Sequence, residues 1–252
     1  MVNQTVKAYI NLNGVLRCLP YVCSLDQTAG ELIRGQNLTI QFRIRNGPIA
    51  RLIFENGTCR FEKGKGKSQI KLSFSSPEHF NRMMDGKANP SITKGLLKIG
   101  FLTKEFMQLT KRMEYYLKPD RTLLEDPAFR RINTILTFYA AFHSLAEVGM
   151  HDPVGVQVMK HARKGLLVAA IDQTEVKAIL KLSAGDIAVL TREDDLPVCR
   201  LRFASVDKAY EVLTGKLDFL TAIGLGDVKM EGFIPVMQTV EHILPMVNTY
   251  LS

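Results

Sequence analysis

IKLSFSSPEHFNRMMDGK at residues 70–87 and CRLRFASVDKAYEVLTGK at residues 199–216 decide how this chain reads. Leu72, Phe74, Ser76, Gly86 and Lys87 recur at one constant offset as Leu201, Phe203, Ser205, Gly215 and Lys216. Each copy predicts an alternating strand that runs into a serine, whose hydroxyl can accept from a free amide at the start of a helix. Pro77 suits the first helical turn, where its missing N–H costs nothing. Phe80, Met83 and Met84 in one copy, and Ala209, Val212 and Leu213 in the other, then share a helical face. Gly86 and Gly215 close the helices, because glycine enters the left-handed conformation without a Cβ penalty. Two unrelated strand-to-helix units would rarely keep every spacing, so the pattern predicts a duplicated domain.

The flanks extend the pattern. KGLLKIGFLT downstream of the first copy and LGDVKMEGFIP downstream of the second match through Lys98 and Lys229, Ile99 and Met230, and the pairs Gly100-Phe101 and Gly232-Phe233. Each predicts a short strand, a Gly-Phe corner and a closing helix. Upstream, ENGTCRF at 55–61 and SAGDIAV at 183–189 both read as hairpin turns between apolar strands.

A three-stranded meander, a Phe-x-Ser strand-to-helix unit ending in Gly-Lys, a short strand with a Gly-Phe corner and a terminal amphipathic helix form a layout that resembles the sterol carrier protein 2-like lipid-binding domains. LRFASVDKAYEVLTGKLDFLTAIGLGDVKMEGFIPVMQTVEHILPMV, Leu201 to Val247, is the better match. The resemblance implies an α+β fold of two tandem domains, residues 1–120 and 121–252, each an antiparallel-rich sheet of about five strands covered by helices. It also implies a non-enzymatic carrier whose final helix covers an apolar cavity. The residues carried over as ligand contacts are Phe203, Leu213, Phe219, Ile223, Met230, Phe233, Met237 and Ile243. Those of the first copy are Phe74, Phe80, Met84, Ile92, Phe101 and Phe106.

Composition bounds these expectations. With 252 residues, 46% of them hydrophobic, the chain can build two cores. No apolar run is long enough to span a bilayer, and the N-terminus lacks a basic start followed by an apolar block, so the expected location is the cytosol. Cys18, Cys23, Cys59 and Cys199 are scattered, which suits reduced thiols more than a Cys18–Cys23 disulfide. Residues 1–120 hold 19 Lys and Arg against 9 Asp and Glu, whereas residues 121–252 hold 14 against 16. Such an excess in the N-terminal half suits transient contact with an anionic membrane, nucleic acid or an acidic partner, while its densest run, RFEKGKGKSQIK at 60–71, reads as a solvated loop guarding an edge strand. Its one aromatic, Phe61, stands ahead of the lysines and none is interleaved among them, so nucleic acid is not expected.

Taken in order, residues 1–34 read as mainly helical with an interruption near Pro20. LTIQFRI, PIARLIFE and TCRFEKG follow as the meander, Ala88–Lys94 as a connection with one helical turn, LLKIG as the last strand and Lys104–Leu117 as the closing helix. INTILTFYAAFHSLAEVG is the most apolar helix candidate. A second helix, three strands, the repeated unit, a turn at DFLTAIG, a strand at DVKMEG and a helix over Pro235–Leu251 complete the second domain.

No reactive constellation appears. His79, His143, His151, His161 and His242 show no metal-ligand spacing, and GxSxG, GxGxxG and GxxxxGK[ST] are absent, so no enzyme, cofactor or metal site is expected. Lys87 and Lys216 follow helix C-termini, where the dipole favours a cation and repels phosphate. Met83, Met84, Met107, Met113, Met230, Met237 and Met246 fall on inferred inward faces, where thioethers adapt to irregular apolar guests or fill imperfect cores. The alternative to a carrier is an interaction module, its cavities closed, that forms a pseudo-dimer or oligomer.

Overall fold

The Asn3 side chain starts the first helix by accepting from the Thr5 and Val6 amides. In the computed structural model, which describes residues 2–251, the chain runs on through α1 (Gln4–Ile10), a π-helical turn (Asn11–Val15), a 3-10 turn (Leu16–Cys18) and α2 (Leu19–Leu25). Pro20 lies in the first turn of α2, where it is tolerated, so the interruption expected there falls instead at Asp26. Next come α3 (Gln27–Leu32), β1 (Leu38–Ile44), β2 (Ile49–Glu55), β3 (Thr58–Lys63), β4 (Ile70–Phe74), α4 (Pro77–Met84) and β5 (Ser91–Lys94). The single turn α5 (Ile99–Phe101) leads through Leu102–Phe106 into α6 (Met107–Leu117).

The chain divides into two compact units, Met1–Asp120 and Arg121–Ser252. The second unit opens with α7 (Pro127–His151), capped by Asp126 and buried around most of its circumference, and α8 (Pro153–Lys160). It continues with β6 (Gly165–Ile171), β7 (Lys177–Ser183), β8 (Asp186–Leu190), β9 (Cys199–Phe203), α9 (Val206–Leu213), α10 (Phe219–Leu225), β10 (Val228–Gly232) and α11 (Ile234–Leu251). The segment expected as a turn at DFLTAIG is therefore the helix α10, capped by Asp218.

Each unit contains a five-stranded sheet, and the two orders coincide: β3-β2-β1-β4-β5, and β8-β7-β6-β9-β10 read from the matching edge. The sheets are mixed. β1 lies parallel to β4 and β6 parallel to β9, while the other pairings are antiparallel. Period-2 alternation shows which face is buried but not strand direction, so the parallel pair was not foreseen. Ile40, Phe42, Leu52, Phe54, Ile70, Leu72 and Phe74 line one core, and Leu167, Ile171, Leu180, Leu182, Leu201 and Phe203 the other. α7 packs on β7 and β8, and α11 on β6 and β9.

The repeated motif folds the same way twice. Ser76 and Ser205 both have extended backbone and accept from the amides of His79 and Lys208, at 3.1 and 3.2 Å. Gly86 and Gly215 both have φ +70°. Downstream, the expected correspondence fails. LLKIG is not a strand: Leu96–Lys98 is a 3-10 turn and Ile99 begins a helix, while the last strand is SITK, read earlier as a connection. Ile92 pairs with Leu72 as Met230 pairs with Leu201, so Ile92, not Ile99, occupies the place of Met230.

The true corner glycines are Gly95 and Gly232, with φ +96° and +98°. A Cβ at Gly95 would stand 2.7 Å from the Gln69 carbonyl oxygen, and one at Gly232 would stand 2.2 Å from that of Val198. Both positions need a left-handed backbone and a close approach, and only glycine supplies both. Gly232→Ala is expected to destabilise the protein by roughly 2–4 kcal/mol in urea unfolding, because strain and a backbone clash add. Gly215→Ala, where no atom lies within 4 Å of the new Cβ, is expected to cost only about 1–2 kcal/mol.

Candidate functional site

In each unit a buried aspartate ties the last helix to a corner between two helices that precede the sheet. Asp152 closes α7 and caps α8, its Oδ1 accepting from the amides of Val154 and Gly155 at 2.8 and 3.1 Å. Its Oδ2 accepts from the Tyr250 hydroxyl of α11 at 2.7 Å. Asp26 stands between α2 and α3 in the same way. Its Oδ1 accepts from the Ala29 amide at 2.8 Å, and its Oδ2 from the Tyr116 hydroxyl of α6 at 2.7 Å. Arg112 adds an ion pair to Asp26.

The electrostatics of the first clasp are strongly perturbed. Burial pushes the Asp26 carboxyl up, but hydrogen bonds from Arg112, Tyr116 and the Ala29 amide together outweigh it and leave the group below its ordinary range. Tyr116 is pushed up to about 12, by burial first and then by its bond to Asp26.

Beneath the clasped helices, the expected ligand contacts separate into packed and open groups. Phe203, Met237 and Ile243 are buried, and Phe203 lies edge-on to Phe138 of α7 at 6.1 Å between ring centroids. Leu213, Phe219, Ile223 and Met230 are only half-buried, and Phe233 is 46% exposed. These five lie at the end of α9, on α10, on β10 and just beyond it, and α10 packs against β10. Met230 is on the core face of the sheet, half-buried as its counterpart Ile92 is, so what sets this edge of unit 2 apart is α10, with half-buried Phe219 and Ile223, and the exposed Phe233.

Unit 1 is closed differently. Phe74, Phe80 and Phe101 are buried, and Met84, Ile92 and Phe106 half-buried. Phe101 meets Phe54 at 5.3 Å and Phe106 at 6.4 Å, and Phe106 meets Phe42 at 6.2 Å, so four rings fill the space between helix and sheet. Phe74 and Phe80 make an edge-to-face pair at 5.0 Å. Met107, expected to point inward, is 46% exposed because α6 begins at that residue with its buried stripe on Leu109, Met113 and Tyr116.

Sequence reasoning missed both aspartate–tyrosine pairs. The available signal was the Tyr-Leu pair ending each closing helix, Tyr116-Leu117 and Tyr250-Leu251, set against an aspartate ending each opening helix. It also missed that Cys23 and Cys59 face each other: a hydrogen bond to Cys23, then burial, raises the Cys59 thiol, and among the described residues no disulfide joins any of the four cysteines. Among the described residues no His, Cys, Asp or Glu cluster could hold a metal ion, and no helix is long and apolar enough to cross a membrane.

No protein-family model matches the chain, and no curated protein does. It is similar to the solved structure of the UbiJ-SCP2 ubiquinone synthesis protein, at 16% identity and TM-score 0.32 over 42% of this chain and 88% of that one. The sterol carrier protein domain 2 of Helicoverpa armigera is 13% identical, with TM-score 0.33 over 45% and 89%. Sterol carrier protein 2 from Yarrowia lipolytica in its apo form is 16% identical, with TM-score 0.30 over 40% and 91%.

The Asp26 clasp sets a pH dependence with two limbs. Because its folded pKa lies below the unfolded value of about 3.9, its stabilisation is complete above that pH and is lost as pH falls through the folded pKa. Tyr116 stabilises fully below its unfolded value of about 10. That contribution fades as pH rises toward about 12. Denaturant midpoints measured across pH should show both limbs, and Asp26→Asn should flatten the acid one.

Proposed function

We propose that the chain is a non-enzymatic carrier built from two tandem sterol-carrier-like domains, in which unit 2 holds a fatty acyl, isoprenoid or sterol-like molecule. The observation that carries this reading is the open apolar edge of unit 2, where Met230 on the core face stays half-exposed beside Leu213, Phe219, Ile223 and Phe233. Apolar side chains left this accessible next to a formed core suit an occupant of similar polarity. Each methylene such a guest buries contributes about 0.8 kcal/mol, so a long acyl chain needs few polar contacts to stay bound.

Three regularities support a common origin for the two units. They share strand order, the serine cap with its glycine stop, and the aspartate–tyrosine clasp. The clasp lies near the C-terminal end of each last helix, which suits a cover whose remaining length yields to an entering ligand. The four-ring cluster supports unit 1 as the closed companion rather than the binder.

Native mass spectrometry of the full chain with oleate is expected to show one bound molecule. Met230→Ser with Phe233→Ser is expected to weaken binding at least about tenfold, through lost apolar contact. Met84→Ser in unit 1 is expected to leave binding unchanged. Absence of bound oleate and of any co-purified lipid would refute the carrier.

A further inference from the structure

The matching outer faces of the two sheets carry opposite electrostatic designs. In unit 2 the cross-strand row is Leu190, Ile179, Val168, Arg200 and Glu231, so the one cation faces an acid directly. The connection from β8 to β9 returns over this face and brings Glu193 to Lys177 at 3.4 Å and Asp194 to Lys181 at 2.5 Å. The matching row of unit 1 is Glu62, Arg51, Gln41, Lys71 and Lys94, which sets two lysines directly opposite each other. Like charges so placed destabilise a sheet.

The connection from β3 to β4 adds to that charge instead of cancelling it. It lies against the same face, since the Gly66 amide donates to Gln41 Oε1 at 3.1 Å and a Cβ at Gly66 would collide with the Arg51 guanidinium. It carries exposed Lys65 and Lys67. Glu55 and Glu62 are engaged by Arg60 and Arg51, and among the described residues Lys65, Lys67, Lys71, Lys94 and Lys98 form no ion pair.

An apolar turn adjoins this basic patch. Leu97 is fully exposed and Leu96 67% exposed, immediately after β5 and beside Lys94 and Lys98. Contact between turn and loop is direct: Lys94 Nζ donates to the Ser68 carbonyl at 2.6 Å, and Gly95 lies close enough to Gln69 that a Cβ there would stand 2.7 Å from its carbonyl oxygen. Two protruding leucines flanked by lysines that form no ion pair match the cross-section of a lipid leaflet, with apolar chains beneath anionic headgroups. A nucleic-acid surface would present rings for stacking, and this patch presents leucines.

We propose that the lysine loop 63–68 and the Leu96–Leu97 turn of unit 1 form a docking surface for an anionic phospholipid bilayer, with the leucines entering the interface. This surface goes beyond lipid carriage by unit 2 and stands whether or not unit 2 holds a ligand. The test is co-sedimentation of the full chain with vesicles of phosphatidylcholine alone or with about one-third phosphatidylserine. Binding is expected only to the anionic vesicles and is expected to fall as salt rises. Lys65→Gln with Lys67→Gln is expected to weaken it about 30-fold, near fivefold per lysine. Leu96→Ser with Leu97→Ser, both on exposed residues and therefore compatible with an unchanged melting curve, is expected to weaken it without altering the salt slope. Equal binding to neutral vesicles, indifference to the lysine pair, or displacement of the vesicles by an RNA oligonucleotide would overturn the proposal. None of these outcomes bears on oleate retention by unit 2, so the two readings fail separately.

Discussion

A carboxylate buried at a helix corner is tolerable only when its oxygens are all but fully engaged, and that requirement fixes where the last helix of each unit can lie. Asp152 spends one oxygen on the amides that start α8 and the other on Tyr250. Breaking the tyrosine bond would leave a desolvated acceptor, a penalty of about 1–3 kcal/mol. The clasp holds α11 near its C-terminal end, and over β6 and β9 the helix buries Val236, Met237, Val240 and Ile243, whose apolar burial is non-directional. Unit 1 adds Arg112 to the same device, a charge partner for its corner, whereas among the described residues Asp152 forms no ion pair.

From this constraint the two interiors diverge by side-chain choice and by one inserted helix. Phenylalanines from the α5–α6 segment and from β1 and β2 lock together under the closing helix of unit 1. Unit 2 places Met237, Val240 and Ile243 under its own, and inserts α10 beside the edge strand. The insertion is visible as spacing: nine residues separate Gly86 from Gly95, but seventeen separate Gly215 from Gly232. Those additional residues hold the half-buried Phe219 and Ile223, so the open edge is built largely from what unit 1 lacks.

Local chemistry was legible in the chain wherever one residue decides one conformation. Ser76 and Ser205 as caps, Gly86 and Gly215 as stops, and the alternation of β1, β2 and β9 could be read directly. β5 could not, because SITK holds one apolar residue on an exposed edge strand and gives almost no periodic signal. Gly95 and Gly232 were hidden by the inserted helix, which breaks the constant offset just after Lys216. The clasps left only the recurring Tyr-Leu ending as a trace, because Asp26 and Tyr116 are separated by 90 residues, and Asp152 and Tyr250 by 98, and only the fold brings them together. The candidate contacts were chosen by hydrophobic pattern, which selects inward faces but cannot tell a filled interior from an open one.

Amide hydrogen exchange of the full chain, with and without saturating oleate, tests the central claim most directly. The account predicts added protection confined to α9, α10, β10 and α11, with the closing helix of unit 1 unchanged. Protection that is absent throughout, or that appears in α6 instead, would contradict it.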